Sequence, residues 1–322
     1  MHLNGATTGS APPVVEVVLA TYNGGQFLDE LLDSMLAQTF QQWRLVVRDD
    51  GSSDGTLELL EAFQKQYPDR IAMLRDDRGN LGARGNFAAI ADRTTGDYLM
   101  FADQDDTWYP SKIEVTLAEM LAVERANGPD VPVLVHTDMK VVDIAGNVIA
   151  ESFWEYQNLN AATGMKLPRQ LVQNYVTGCS MMINRKLLSL ALPIPSNAIM
   201  HDWWFALVAS AFGEIAAVKA QTLKYRQHGG NSIGAKRWGY RHVAVQMLGG
   251  IEELRRRIGA TQDQARSFVE RYEDRLGPEL TRTARDYSDL GRHGYFRRRA
   301  ISVRNGFFKS GLIRNIGFYV AL

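Results

Sequence analysis

At 322 residues, with 45% apolar and 22% charged side chains, the chain has the make-up of an ordinary globular protein with a sizeable core. Its formal net charge is zero, which removes a global electrostatic preference for nucleic acid. Its one cysteine, Cys179, rules out an internal disulfide and suits a reducing compartment. No window reaches the ~18 apolar residues needed to span a bilayer. The zero net charge conceals an asymmetry. Residues 236–322 hold 18 Lys+Arg against 9 Asp+Glu, and residues 292–322 hold seven basic side chains and no acidic one.

Positions 1–13, rich in Gly, Ala, Thr and Pro, lack the basic start and apolar run of a signal peptide and read as a disordered leader. Val14 to Ala20 is a β-branched run that predicts a buried strand. Thr21-Tyr22-Asn23-Gly24-Gly25 is a turn, and Leu28, Leu31, Leu32, Met35 and Leu36 then share one helical face. Trp43 to Val47 predicts a second strand, a helix runs to about Tyr67, and Ile71 to Leu74 is a third strand. Asn80 to Asn86 leads into another helix, and Tyr98 to Phe101 is a fourth strand. Such alternation predicts a mostly parallel sheet with helices on both faces. Ligands bind such sheets outside the carboxyl ends of the strands, where the polar clusters at 21–23, 49–54 and 103–106 fall.

The cluster Asp103-Gln104-Asp105-Asp106 is the sharpest of these. Several carboxylates at the end of a buried strand are costly unless a cation sits among them, and a hard divalent ion with phosphate oxygens would relieve the repulsion. The bland alternative is an acidic loop ahead of the helix that Pro110-Ser111-Lys112 opens. Neither Gly-x-Gly-x-x-Gly nor a Gly-Lys-Ser/Thr phosphate loop is present, which argues against a dinucleotide dehydrogenase or a P-loop NTPase. A nucleoside pocket remains, with Tyr22 to stack on a base and Asp50 to accept from a ring N–H; a packing aromatic and an Asp-Gly turn are the alternatives.

Four ordered motifs carry a resemblance. Ala20-Thr21-Tyr22-Asn23, Arg48-Asp49-Asp50-Gly51-Ser52-Ser53-Asp54-Gly55-Thr56, Asn80-x-Gly82 with Asn86, and Asp103-Gln104-Asp105-Asp106-x-Trp108 resemble glycosyltransferase family 2 over residues 14–235. The resemblance implies the GT-A fold, a Rossmann-like α/β nucleotide-sugar-binding domain with a mostly parallel central sheet, over 14–235. A helical, basic C-terminal region over 236–322 would follow. It also implies a nucleotide-sugar donor, Mn²⁺ or Mg²⁺, and transfer with inversion. By position, Tyr22 and Asp50 match the family's base-binding residues and Asp103 and Asp105 its metal pair. Ala20 (often proline in relatives), Asn23, Asn80, Arg84 and Gln104 belong to the same nucleotide-sugar site.

Val133 to Val135 predicts a further strand followed by His136-Thr137-Asp138, and Asn158 to Asn174 fits a loop with short helices over the sugar. Val176 to Met182 has small residues where a backbone could approach the donor; Cys179 itself reads as a small buried hydrophobe. Met200-His201-Asp202-Trp203-Trp204 stands at the start of an apolar helix. Sugar transfer needs a base for the acceptor hydroxyl. By spacing alone Asp202 is a helix cap beside core tryptophans, but the resemblance implies the catalytic base here, and the His-Asp-Trp-Trp form resembles rhamnosyltransferase-like members. Trp108, Trp203 and Trp204 are expected to face sugar or acceptor, with core packing as the alternative. A short strand then leads to Tyr225-Arg226-Gln227-His228. The resemblance makes His228 a third metal ligand; Arg226 is expected at the diphosphate or paired with a structural carboxylate. Gly229-Gly230 suggests a loop that closes over the donor.

In the tail, Ile251 to Leu276 predicts a charged helix broken by Gly277-Pro278. The last stretch, 292–322, mixes arginines with Phe307, Phe308, Leu312, Ile316 and Phe318. It is read as a surface for an anionic membrane, with packing on the catalytic domain or homo-oligomerisation as alternatives and no nucleic acid expected. The expected protein is a cytoplasmic, membrane-peripheral, metal-dependent inverting glycosyltransferase of cell-surface polysaccharide synthesis. Its favoured donor is dTDP-β-L-rhamnose, with a UDP-sugar second, and its acceptor is a glycan or lipid-linked glycan. Other classes weighed are a sugar-nucleotide nucleotidyltransferase, which would open with a Gly-rich basic loop, and a non-catalytic glycan-binding subunit.

Overall fold

The structure, a computed structural model, describes residues 13–228 and 251–322. The leader expected over 1–13 lies, apart from Pro13, outside the described residues, as do Gly229-Gly230 and the first part of the basic region.

Four strands form the first half of the sheet: β1 (Val15–Thr21), β2 (Trp43–Asp49), β3 (Ile71–Met73) and β4 (Tyr98–Ala102). They pair in parallel in the order β3-β2-β1-β4. Helices α1 (Leu28–Leu36), α2 (Thr56–Gln66) and α3 (Gly82–Ala91) make the crossovers. Successive side chains of a strand point to opposite faces, and here both faces are covered. Val15, Val17 and Leu19 join one apolar cluster with α1 and α2, while Val18 joins a second with Phe87 and Ile90 of α3. Leu45/Val47 against Val46, and Met100/Ala102 against Leu99/Phe101, divide in the same way. Burial on both faces is why these strands are near-continuous apolar runs rather than alternating ones.

The second half of the sheet is mixed. After β5 (Thr107–Trp108) and α4 (Lys112–Asn127) come β6 (Val133–Val142), β7 (Val148–Ala150), β8 (Met181–Asn184) and β9 (Glu214–Arg226). Among the described residues the full sheet has nine strands in the order β3-β2-β1-β4-β8-β6-β9-β5, with β7 beside β6. Strand β8 is antiparallel to both β4 and β6, β5 is antiparallel to β9, and β6 and β9 are parallel. The expectation of a mostly parallel sheet therefore holds for the first half and needs amending for the second. His136, Thr137 and Asp138, expected after a short strand, lie inside the ten-residue β6 and are buried.

Short helices α6 (Ala161–Gly164) and α7 (Leu167–Val172) lie in the segment expected to carry such helices, 158–174, with α5 (Phe153–Tyr156) just ahead of it; α8 (Arg185–Ala191) and α9 (His201–Phe212) follow. The tail forms α10 (Ile251–Tyr272), α11 (Pro278–Ser288), α12 (Tyr295–Asn305) and α13 (Leu312–Ala321). It packs on the sheet-bearing part through one shared core: Phe268, Tyr287, Phe307 and Phe318 belong to the same apolar cluster as Phe101 and Leu134. Trp204 of α9 lies 6.1 Å, ring to ring, from Phe268 and from Tyr272, whose hydroxyl donates to the Leu190 carbonyl at 2.9 Å.

Because α10 completes this core, Phe268→Ala should destabilise the whole chain by about 3–5 kcal/mol. Urea unfolding followed by far-UV dichroism and by tryptophan fluorescence should then show one coincident transition at a lower midpoint. A separate early loss of helix with the tryptophan signal intact would show that the tail is only appended.

Candidate active site

The carboxyl ends of β1 and β2 are laced together. Thr21 Oγ1 donates to Asp49 Oδ1 at 2.9 Å, and the Asn23 and Gly24 N–H groups donate to Ser52 Oγ and Thr56 Oγ1, each at 2.8 Å. Asn23 Oδ1 accepts from Ser53 N–H at 2.8 Å, and Asp54 Oδ2 from Gly25 N–H at 3.1 Å. Asn23 adopts φ +48°, a left-handed conformation that asparagine tolerates better than most residues. The end of β4 is joined to β1 by Gln104, whose amide pairs with the Tyr22 backbone in both directions, at 2.9 and 3.0 Å. Gly24 permits this approach, since a Cβ there would lie 2.3 Å from Gln104 Oε1. The Tyr22 side chain stands out from this frame, 52% exposed.

Asp50 is buried and committed to its neighbours. It accepts from Arg48 Nη1 at 2.5 Å, from Leu81 N–H at 2.8 Å and from Gly82 N–H at 2.8 Å. Asn80 Nδ2 donates to the Asp50 carbonyl at 3.0 Å. Arg48, also buried, reaches Asp76 at 2.9 Å and the Gly79 carbonyl at 2.7 Å. Its guanidinium holds the Asp76 carboxyl well below the usual range. Asp50 thus holds the 79–82 loop against β2. Arg84 Nη1 donates to the Pro195 carbonyl at 2.8 Å, tying α3 to the segment ahead of α9.

Beyond β4 the carboxylates converge. Asp105 Oδ2 lies 2.7 Å from His228 Nε2. Burial, then the charges of Asp105 and Asp202, push Asp103 up to about 7. Asp106 is buried, and its carboxyl is raised by burial and by Asp105 and Asp103. Ligand atoms of Asp103, Asp106 and Cys179 lie within 4.8 Å of one another. That trio suits a hard cation poorly, because burial pushes the Cys179 thiol well up and keeps it protonated. Asp103 and Asp105 with the His228 imidazole offer the oxygen and nitrogen donors that Mn²⁺ or Mg²⁺ takes. Behind the carboxylates stands Lys112, fully buried, its Nζ 3.3 Å from Thr222 Oγ1 and 4.8 Å from the Trp108 ring. Burial lowers its pKa to about 8.

Asp202 lies in the first turn of α9, with Oδ1 accepting Trp203 N–H at 2.6 Å and Oδ2 accepting Gly178 N–H at 3.0 Å. Burial pushes its carboxyl up to about 6, against the opposing pull of these N–H groups and the Asn174 side chain. Its charge acts on Asp103, so base candidate and metal candidates share one site. His201 beside it is kept neutral by burial, which lowers its pKa to about 3.

Two expected contacts are corrected by this placement. Trp204 is fully buried under Phe268 and Tyr272 and its indole donates to the Ala191 carbonyl at 2.9 Å, leaving no face for a sugar. Trp108 is buried in the core beneath Lys112. Of the two readings open for Arg226, the structure shows the pair with a carboxylate: it meets Glu30 at 2.5 Å and donates to the Asp105 and Ile144 carbonyls at 3.0 and 2.9 Å. Trp203 stays half-buried, its Nε1 donating to the Gln170 carbonyl at 2.6 Å. Lys112 and Arg48 carry site electrostatics that the sequence did not assign: Arg48 heads the second motif without a role of its own, and Lys112 stands only at a helix start.

The family pattern described as Glycosyl transferase family 2 matches residues 16–189. Over 222 residues the chain is 28% identical to the dTDP-rhamnosyl transferase RfbG of Shigella flexneri, covering 67% of this chain and 74% of that one. The putative glycosyltransferase EpsE of Bacillus subtilis is 32% identical over 106 residues, 33% of this chain and 38% of its own. An uncharacterised glycosyltransferase of Rickettsia felis is 26% identical over 222 residues, 65% of this chain; only 34% of that longer protein is spanned. Among solved structures, S. aureus TarS 1–349 in complex with UDP-GlcNAc superposes with a TM-score of 0.54 at 16% identity, covering 92% and 93% of the two chains. The mannosyltransferase PcManGT of Pyrobaculum calidifontis, in complex with GDP-Man and Mn²⁺, gives 0.52 at 17% identity over 97% and 86%. The fold is GT-A.

Removing the Arg48 guanidinium leaves the buried Asp50 without its ion-pair partner. Arg48→Ala should therefore cost about 3–5 kcal/mol, read as a lower urea midpoint. A variant as stable as the parent would remove Arg48 from the framework of the site.

Proposed function

The chain belongs to glycosyl transferase family 2, and on that premise we propose that it transfers a sugar from a nucleotide donor to a hydroxyl of a glycan or lipid-linked glycan, with inversion at the anomeric carbon. The observation that carries this reading is the facing pair of environments: a carboxylate raised to about 6 at Asp202, and the Asp103/Asp105/His228 group whose charges it feels. A raised carboxyl is better matched to taking a proton near neutral pH than an ordinary aspartate.

In the step proposed, the Asp202 carboxylate takes the proton of the acceptor hydroxyl. The acceptor oxygen bonds to the anomeric carbon as the bond from that carbon to the phosphate oxygen breaks, and the nucleoside diphosphate departs on the opposite face. A divalent ion held by Asp103, Asp105 and His228 would supply positive charge to the departing diphosphate. The Gly178 and Trp203 N–H groups hold both oxygens of Asp202, which fixes the orientation of the base. Tyr22, exposed above the laced β1 and β2 loops, is the surface on which the donor base would stack. Asp50 holds the 79–82 wall of that pocket, and a further contact of its carboxylate with the base is part of this proposal. The half-buried Trp203 would border the sugar.

The favoured donor is dTDP-β-L-rhamnose, supported by the similarity to RfbG and by the His-Asp-Trp-Trp stretch. A UDP-sugar is the second reading, since the fold is shared with a chain that holds UDP-GlcNAc. The role proposed is cell-surface polysaccharide synthesis.

Asp202→Asn should retain donor binding and lose transfer by about 10²–10⁴-fold; undiminished turnover would remove Asp202 from the reaction. As the base works ionised, transfer by the parent chain should fall as pH drops through about 6, and a rate flat down to pH 4 would contradict the assignment. Calorimetry with dTDP-rhamnose and a panel of UDP-sugars should show binding to one donor class with Mn²⁺ or Mg²⁺. That binding should disappear on chelation and in Asp105→Ala. Preference for a UDP-sugar would discard rhamnose and keep the reaction, whereas no metal-dependent binding to any donor would overturn the transferase reading.

A further inference from the structure

The transfer chemistry leaves the end of the chain unused. Along α13, Leu312, Ile316 and Val320 recur every four residues and are 76%, 46% and 48% exposed, whereas Phe318 and Ala321 on the opposite side are buried. A four-residue spacing puts the exposed three on one stripe of the helix. On α12, Phe296 is 84% exposed, and Tyr295 and Val303 are exposed with it. The two helices adjoin, the Arg299 guanidinium donating to the Tyr319 carbonyl at 2.5 Å. Arg314 fixes α13 to the body of the protein by donating to the Gln157 and Asn158 carbonyls at 2.5 and 3.1 Å. The stripe is therefore presented by an anchored helix.

The segment that carries it has charge of one sign. Residues 292–322 contain seven basic side chains and no acidic one. Two are matched from α11 and the turn after it, Arg304 by Asp286 and Arg292 by Asp289. Arg299 donates to carbonyl oxygens, which hold a guanidinium without neutralising it, and Arg297 is exposed. Exposed apolar side chains beside Arg297 and Arg299, on a segment with no acidic side chain of its own, suit one environment above others, an interface with an oily interior and negative headgroups. No helix among the described residues is long and apolar enough to cross a membrane, so contact of this kind lies along the surface.

We propose that the α12–α13 face docks on an anionic lipid surface, with Leu312, Ile316, Val320 and Phe296 entering the headgroup boundary and the surrounding arginines meeting lipid phosphates. The full chain should co-sediment with phosphatidylcholine vesicles containing one-third phosphatidylglycerol, and not with phosphatidylcholine alone. Added salt should weaken the association. Leu312→Asp/Ile316→Asp should abolish it, and Arg297→Glu should weaken it by about tenfold. Both variants should keep the parental unfolding midpoint and nucleotide-sugar binding, so that a lost lipid signal is not lost folding. Failure to bind anionic vesicles, equal binding to neutral ones, or full binding by the double variant would overturn the proposal. So would a dimer in vesicle-free sedimentation that the double variant dissociates, since the stripe would then belong to a second copy of the chain. Vesicle and donor binding are read separately, so either can fail while the other stands.

Discussion

Four carboxylates, on Asp103, Asp105, Asp106 and Asp202, are gathered where β4 ends and α9 begins, and the cost of holding them there shapes much of the molecule. Burial and mutual repulsion raise Asp103 and Asp106, and burial raises Asp202. Such a cluster persists only with compensation. The buried ammonium of Lys112 offsets it from behind, His228 meets Asp105 from the side, and two backbone N–H groups hold Asp202. The same desolvation that makes the cluster costly is what raises the Asp202 carboxyl, the property on which its proposed role as base rests.

Positioning is achieved by polar lacing rather than by the core. The strands only bring three loops to one edge of the sheet. Hydrogen bonds from Thr21, Asn23, Gly24 and Gly25 to the 49–56 loop, the two-way pairing of Gln104 with Tyr22, and the Arg48–Asp50 pair then fix the loops relative to each other. Loops held in this manner lose less freedom when a ligand arrives. Arg226 does comparable work at the far side, binding the Asp105 carbonyl and Glu30 together. Several motif residues thus serve the site by holding other residues.

The four parallel strands, their helices and the site edge were legible because each rests on local pattern: β-branched runs, 3.6-residue periodicity, and polar turns at strand ends. The short β5, β7 and β8 were not, since two to four residues carry too little pattern and their pairing partners are distant in sequence. Across more than a hundred positions, Asp105 meets His228, and Asp103 feels the charges of Asp105 and Asp202. For Trp108, Trp204 and Arg226 the residue type was informative and the environment was not. An aromatic or a guanidinium suits sugar, diphosphate or core equally until burial is known.

By itself, then, the sequence determined the alternation of strands and helices, the loops that carry the chemistry and the sign of charge along the tail, all of them properties of neighbouring residues. Tertiary structure alone decided that Trp204 is sealed by α10 and that Lys112 backs the carboxylates. It also decided that the tail shares the core while one stripe of α13 stays bare. Burial and ion pairing depend on atoms brought together from remote parts of the chain, and no local pattern records which of them will meet.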